Sequence, residues 1–137
     1  MVKQQTILIS TDGRGFYDIT PKVNTFLLES PLENGLCHVF IQHTSASLLI
    51  CENADPSVRH DVEQFFSKLV IDGDESYQHR YEGADDMSGH LRSILTEASI
   101  VLPVTDHVLN LGTWQGIYLY EHRYRAHERK LVLTIYG

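Results

Sequence analysis

The sequence predicts an α+β fold in a single domain, with mixed or antiparallel β-sheets packed with about three helices. Three observations predict it. The chain holds 137 residues, which is one core's worth, since single domains commonly hold about 100–150. β-Rich and helix-like segments alternate along it with no internal repeat and no linker, so one domain spans 1–137. The helices are too few and too unevenly spaced for the regular strand–helix–strand units of a doubly wound parallel sheet.

The first strand signal is Gln5 to Ser10, closed by the turn Asp12-Gly13-Arg14-Gly15. A helix is expected from Thr20-Pro21, because threonine can cap it and proline suits the first helical position. Val23, Phe26 and Leu27 form its apolar stripe, and Ser30-Pro31 stops it. Two strand candidates follow, Leu36 to Gln42 and Ser47 to Cys51, separated by the polar patch His43-Thr44-Ser45. Asp55 then caps a second helix with Pro56 in its first position. Its apolar residues Val58, Val62, Phe65, Phe66, Leu69 and Val70 fall at i, i+4, i+7, i+8, i+11 and i+12. Residues 72–85 are polar and acidic and predict a long loop. A third helix is expected from Asp86, with Met87, Leu91, Ile94 and Leu95 on one face. Ser99 to Val104, Gly116 to Glu121 and Lys130 to Tyr136 predict three closing strands.

Composition narrows the function. With 42% hydrophobic and 21% charged residues, disorder and low complexity are excluded. Eighteen acidic against 11 basic residues give a net charge of −7, the wrong sign for a general nucleic-acid backbone binder, which replaces counterions with cations. No apolar run approaches the roughly 18 residues of a membrane span, and Met1 to Gln5 lacks the order of a secretory signal. Cys37 and Cys51 lack metal-type spacing, so a reduced, cytoplasmic protein is expected.

Among the 8 histidines, His43, His79 and His90 stand out as metal ligands. His43 ends an apolar strand beside small hydroxyl residues. His79 lies in the acidic loop near Tyr81 and Glu82. His90 follows Asp86 at i+4, so carboxylate and imidazole can share a helical face. Neutral imidazoles with carboxylates suit zinc and related ions, and a catalytic site keeps a position open for water or substrate. Alternatively, Asp86 and His90 merely cap and decorate a helix. His38, His107 and His127 read as ordinary surface or half-buried residues.

Between Glu52 and Asp86 there are 10 acidic residues against 3 basic ones. A solvated acidic face accounts for Asp72, Asp74 and Glu75, and capping accounts for Asp55. Glu52 and Asn53 remain site candidates, because they follow an apolar run where a strand must leave the core. The cluster Glu82 to Asp86 could hold a hard cation through oxygen ligands, although it lacks EF-hand spacing. Gly112-Thr113-Trp114-Gln115-Gly116 carries the only Trp between glycines that permit close backbone approach; a plain turn is the competing reading. Residues 121–130 are net +2, either a phosphate-binding patch with Arg123 or a charged hairpin tip at Arg125 and Arg129.

Three segments carry a resemblance. His43-Thr44-Ser45-Ala46-Ser47-Leu48 continuing into Glu52-Asn53-Ala54-Asp55-Pro56, then Tyr81 to Met87 with His90, and Leu111 to Ile117 with Glu121-His122-Arg123 resemble the signature of the YjbQ family, catalogued as secondary thiamine-phosphate synthases. The similarity covers essentially the whole chain in order. It implies an α+β fold assembled as a homotrimer, with sites near subunit boundaries, and a weak ability to join the pyrimidine and thiazole halves of thiamine phosphate. That reaction displaces pyrophosphate, so a divalent metal (zinc or magnesium) and basic side chains would counter the phosphate charge.

Two functional expectations result. One is a metal-assisted enzyme acting on a small phosphorylated metabolite. In it His43, His79 and His90 hold the metal, and Glu52, Glu82 or Asp86 orient ligands or move protons. Thr44, Ser45, Ser47, Asn53, Trp114, Gln115 and Arg123 then contact substrate. The other is a non-catalytic module binding a metabolite or metal in the same pocket. The surplus of carboxylates beside the histidines favours the enzyme.

Overall fold

The computed structural model describes residues 1–137. The elements are β1 (Val2–Thr11), β2 (Gly15–Asp18), α1 (Thr20–Leu28), β3 (Gly35–Ile41), β4 (Ala46–Glu52), α2 (Pro56–Leu69), α3 (Asp86–Leu95), β5 (Ser99–Thr105), β6 (Val108–Leu109), β7 (Gln115–Glu121) and β8 (His127–Tyr136). They form a five-stranded sheet, β1-β8-β3-β5-β6, and a three-stranded sheet, β2-β7-β4. Every strand pairing is antiparallel. The expected α+β domain with three helices is therefore present, and its sheets are antiparallel rather than mixed. No helix is long and apolar enough to cross a membrane.

Alternation builds the core. Inward residues of β8 (Leu131, Leu133, Ile135) and β3 (Cys37, Val39, Ile41) meet Leu48 of β4 and Ile117 and Leu119 of β7. Val23, Phe26 and Leu27 of α1 close one side, as their spacing predicted. Strand β7 is the exception to alternation, being buried from Gly116 to Glu121. Its Ile117 and Leu119 belong to the core, while the intervening Tyr120 packs edge-to-face with Phe66 of α2 and lies beneath Arg92 of α3. A strand covered on both faces reads as a continuous run rather than an alternating one.

Local chemistry shifts several expected boundaries. The Asp18 carboxylate, not Thr20, accepts the Thr20 N–H at the start of α1 (2.9 Å), and the Thr20 hydroxyl instead accepts the Ile117 N–H (2.9 Å). Asp55 caps α2 as expected, accepting the Ser57 N–H at 2.9 Å. Strands β2 and β6, of 4 and 2 residues, are too short to show periodicity in sequence.

The helix faces depart furthest from expectation. On α2 only Phe66 is buried, and Phe65 and Leu69 face solvent. On α3 the expected apolar face is only half-buried at Met87 and Leu91 and turns outward at Leu95 and Ile94, the latter 76% exposed, while Asp86, Ser88, Gly89 and Arg92 are buried. This inversion is possible because the buried side chains find polar partners, although Arg92 Nε and Ser93 Oγ are left without one. Arg92 pairs with Glu63 (Nη1 to Oε1, 2.8 Å) and donates to Tyr120 Oη (3.1 Å). Ser88 donates a short hydrogen bond to Asp72. Gly89 faces His122 and Ser45 across this seam.

Candidate metal centre

Three segments converge at the first turn of α3: Asp86 itself, the loop before it carrying His79, and the chain leaving β7 with Arg123. Asp86 is 3% exposed. Arg123 Nη1 donates to its Oδ1 (2.7 Å) and Nη2 donates to the Glu82 carbonyl (2.7 Å). Arg123 Nε lies 3.2 Å from Asp85 Oδ1, near enough for charge attraction but misaligned for a hydrogen bond. Burial alone would raise the Asp86 pKa. Its polar partners, His79 foremost, outweigh that and hold the carboxyl below its ordinary value.

The other carboxylate oxygen, Oδ2, faces two imidazoles. His79 Nε2 is 2.6 Å away and His90 Nε2 is 3.1 Å away. The donor atoms of His79, Asp86 and His90 all lie within 4.8 Å of one another. His90 Nδ1 stands 2.9 Å from the Thr44 carbonyl, which can only accept, so Nδ1 carries the proton. A neutral His90 would then aim its Nε2 lone pair at a carboxylate oxygen. That contact repels unless something positive lies between them, either a second proton or a cation. A carbonyl that fixes the tautomer and aims the free nitrogen is how ligating histidines are held.

The remaining expected residues divide in two. Glu82 is beside the centre, its Oε2 3.6 Å from His79 Nε2 and its side chain 67% exposed. Thr44 contributes its carbonyl. His43 is not in the donor cluster: its Nε2 accepts the Lys130 N–H at 2.8 Å, so that nitrogen is already occupied. Burial, then the charge of Arg129, push its pKa below the ordinary value. It does share a groove of about 530 Å³ with Thr44, His90, Ser93 and Thr96. Ser45 accepts from Arg129 Nη2 (3.1 Å). Ser47 is enclosed, bonded to His122 Nε2 (2.8 Å) and Thr96 Oγ1 (2.5 Å), and meets no open space.

Glu52, Asn53, Trp114 and Gln115 are not brought to this centre. Glu52 pairs with Gln115 at one end of the β4–β7 ladder, whereas Ala46 pairs with Glu121 at the other. Six residue steps of strand separate the ends, about 20 Å. There Glu52 Oε2 accepts the Ala54 and Asp55 N–H groups, and the Asn53 amide ties to the Thr113 and Gln115 carbonyls. Within one chain this is a turn lock at the far end of the sheet.

Several supporting residues escape a sequence reading. Asp72, expected on a solvated face, is bound in bidentate fashion by Arg14 (2.8 and 2.9 Å), with Tyr124 Oη donating as well (3.0 Å). Arg129, expected at a hairpin tip, is buried on β8 and bonded to Glu121 through Nε (2.8 Å) and Nη2 (2.5 Å). Glu121 also accepts from Thr11 (2.7 Å). Arg129 falls on the inward alternation of Leu131, Leu133 and Ile135, and that period is the signal by which it could have been found.

The model of one protein family, described as UPF0047 protein YjbQ-like, matches residues 5–137. UPF0047 protein YjbQ of Escherichia coli O157:H7 is 46% identical over 135 residues, covering 98% of this chain and 97% of that one. UPF0047 protein sll1880 of Synechocystis is 43% identical over 134 residues, covering 98% and 91%. Among solved structures, hypothetical protein APE1520 of Aeropyrum pernix superposes with a TM-score of 0.87 at 30% identity, covering 98% of both chains. A YbjQ-like protein of unknown function from Sulfolobus solfataricus superposes with a TM-score of 0.86 at 25% identity, covering 100% and 99%.

Proposed function

The chain belongs to the YjbQ-like UPF0047 family, and from that premise we propose a metal-assisted enzyme acting on a small phosphorylated compound. The observation that carries it is the orientation of His90: the Thr44 carbonyl fixes its Nδ1 proton and turns Nε2 toward Asp86 Oδ2. Two imidazoles and one carboxylate oxygen form a three-ligand set that leaves positions open. Two nitrogen donors favour zinc or another transition ion over magnesium, which prefers oxygen ligands and its own water shell. When bound, such an ion would supply positive charge to phosphate oxygens and polarise the leaving pyrophosphate.

The chain's own residues do the rest. His79, Asp86 and His90 would hold the ion, taking the ligand role that the sequence assigned to His43. Arg123 donates Nη1 to Asp86 and Nη2 to the Glu82 carbonyl, so it would orient the centre, and its remaining N–H groups would contact substrate. Glu82, accessible and beside His79, is placed to take a proton from a bound molecule. His43 and Thr44 line the groove that reaches His90. The reaction class that fits is the joining of a pyrimidine diphosphate to a thiazole phosphate with release of pyrophosphate.

Pyrophosphate release from these two precursors, with zinc, iron(II), manganese and magnesium in turn, tests the reading. Asp86→Asn should abolish release, and Glu82→Gln should lower it about 10²–10⁴-fold, the usual contribution of a general base. No release above background with any metal would leave the non-catalytic binding module as the better account.

We further propose a cytoplasmic homotrimer. The outer face of the five-stranded sheet supports it, because Leu36, Phe40, Val101 and Tyr136 lie exposed there on adjoining strands around His38, with no Asp, Glu, Lys or Arg between them. Exposed apolar faces of this kind commonly mark interfaces. Light scattering showing a monomer at micromolar concentration would overturn it.

A further inference from the structure

We infer that the segment between Gly73 and Ala84 is a strap latched by the cation, so that metal binding closes the small cavity behind it and metal loss opens it. The inference rests on His79, Asp86 and His90 being metal ligands.

The strap's ends are fixed independently of any ion. The Gly73 N–H donates to the Ala84 carbonyl (2.8 Å), and Gly73 sits at φ +64, where a side chain would also press within 3.2 Å of the Ala84 methyl. Just outside, Arg14, Ser88 and Tyr124 grip Asp72. At the other end Arg123 holds the Glu82 carbonyl and Tyr124 N–H donates to Asp85 (2.7 Å). A segment with adjoining ends and its own internal packing is an Ω-loop.

The middle of the strap is held differently. Asp74 bonds to Ser76, the Tyr77 N–H donates to the Asp74 carbonyl, and the Tyr77 hydroxyl donates to the Ile71 carbonyl (2.8 Å). All of these are local. Apart from the Tyr77 hydroxyl, which reaches back to Ile71 beside the strap's first anchor, the one hydrogen bond that leaves the strap between Asp74 and Tyr81 is His79 to Asp86 of α3. Tyr81 is 94% exposed and adds nothing to the anchorage. Behind the strap lies a cavity of about 180 Å³ lined by Tyr77, His79, Arg80, Ala84 and Met87 among others.

His79 is therefore the latch. A single hydrogen bond contributes little net stability, and local openings of weakly tied segments are correspondingly frequent. Coordination ties the same imidazole to Asp86 and His90 through an ion that binds the closed strap better than the open one. At ion concentrations ten times Kd the open population then falls about tenfold.

Trypsin reads the opening, since Arg80 is exposed at the middle of the strap. Zn²⁺ occupancy is measured by native mass spectrometry while cleavage after Arg80 is followed with and without Zn²⁺, using cleavage after the exposed Arg125 as internal standard. The expected result is one Zn²⁺ per chain and about tenfold slower cleavage at Arg80, with His79→Ala cut rapidly in both conditions. Bound Zn²⁺ with unchanged Arg80 cleavage overturns the latch and leaves the metal centre standing. Equal Zn²⁺ protection of His79→Ala also overturns it. No bound Zn²⁺ overturns both.

Discussion

Arg123 holds Asp86 Oδ1 at 2.7 Å and so turns the other oxygen, Oδ2, toward the histidines. One half-buried guanidinium thereby decides which half of the carboxylate faces the open centre. The planar fork matters, because its second nitrogen holds the Glu82 carbonyl at 2.7 Å and keeps the strap's end beside Asp86. Lysine has the charge without the fork. Arg123→Lys is expected to weaken zinc binding about 10–100-fold, the usual effect of losing an outer partner of a ligand. Calorimetric titration checks this, and an unchanged Kd would show that Asp86 is oriented without Arg123.

Asp86→Asn retains the shape of the side chain and removes its charge. Without the carboxylate, two imidazoles remain to hold an ion, and zinc binding should fall below detection in equilibrium dialysis at micromolar protein. The amide introduced there can donate to His90 Nε2, so the helix start should persist and the circular dichroism spectrum should not change. Retained stoichiometric zinc would place the ion elsewhere.

Much of the fold was legible because its strands follow simple rules. The alternation of β3 and β8, the Asp55-Pro56 helix start and the acidic loop between α2 and α3 are each written in a handful of adjacent residues. The centre was half legible. Asp86 and His90 at i, i+4 declared a shared face, and His79 lay in a loop with too many polar residues for packing. His43 misled because a histidine ending a strand looks free until the neighbouring strand is known: the Lys130 N–H that occupies it lies 87 residues away. The inverted face of α3 was illegible for the same reason. Its buried Arg92 and Ser88 are satisfied by Glu63 and Asp72, on segments whose approach no local pattern reveals.

Two groups give stability a defined pH dependence. Burial, then the charges of Arg92 and Arg14, push His122 from 6.5 down to about 3, so it is neutral in the fold. As pH falls from about 6.5 toward 3 the unfolded chain binds a proton that the folded chain refuses, and stability drops. Burial would raise Glu63, but hydrogen bonds from Arg92, Ser67 and Tyr120 hold it down from 4.5 to about 2. Its contribution is complete above about 4.5 and is lost as pH falls toward 2. Urea unfolding, with a chelator present, should therefore show stability declining below about pH 6.5 and more steeply below about 4.5. Each group adds at most about 1.4 kcal/mol per pH unit. His122→Gln should flatten the stretch between pH 4.5 and 6.5, and an unaltered slope would mean that His122 titrates normally.

The pair Glu121–Arg129 sets up the last prediction. Both residues are buried, and Arg129 reaches Glu121 through Nε and Nη2, with Nη2 also donating to Ser45 and Nη1 lying 3.4 Å from His43 Nδ1. Removing one partner strands a buried charge, which costs about 3–5 kcal/mol, whereas replacing both with apolar groups is often neutral. Arg129→Met should thus lower the thermal midpoint by about 10 °C, taking a few degrees per kcal/mol for a domain of this size. The double variant Glu121→Leu, Arg129→Met should recover part of that loss, since the Thr11 hydroxyl and the Arg123 N–H lose their acceptor at Glu121 while the His122 N–H keeps the Ser45 carbonyl. Differential scanning calorimetry on the wild type, both single variants and the double closes the cycle. Additive losses in the double variant would mean that the two side chains act on separate neighbours and that the ion pair itself contributes nothing to the fold.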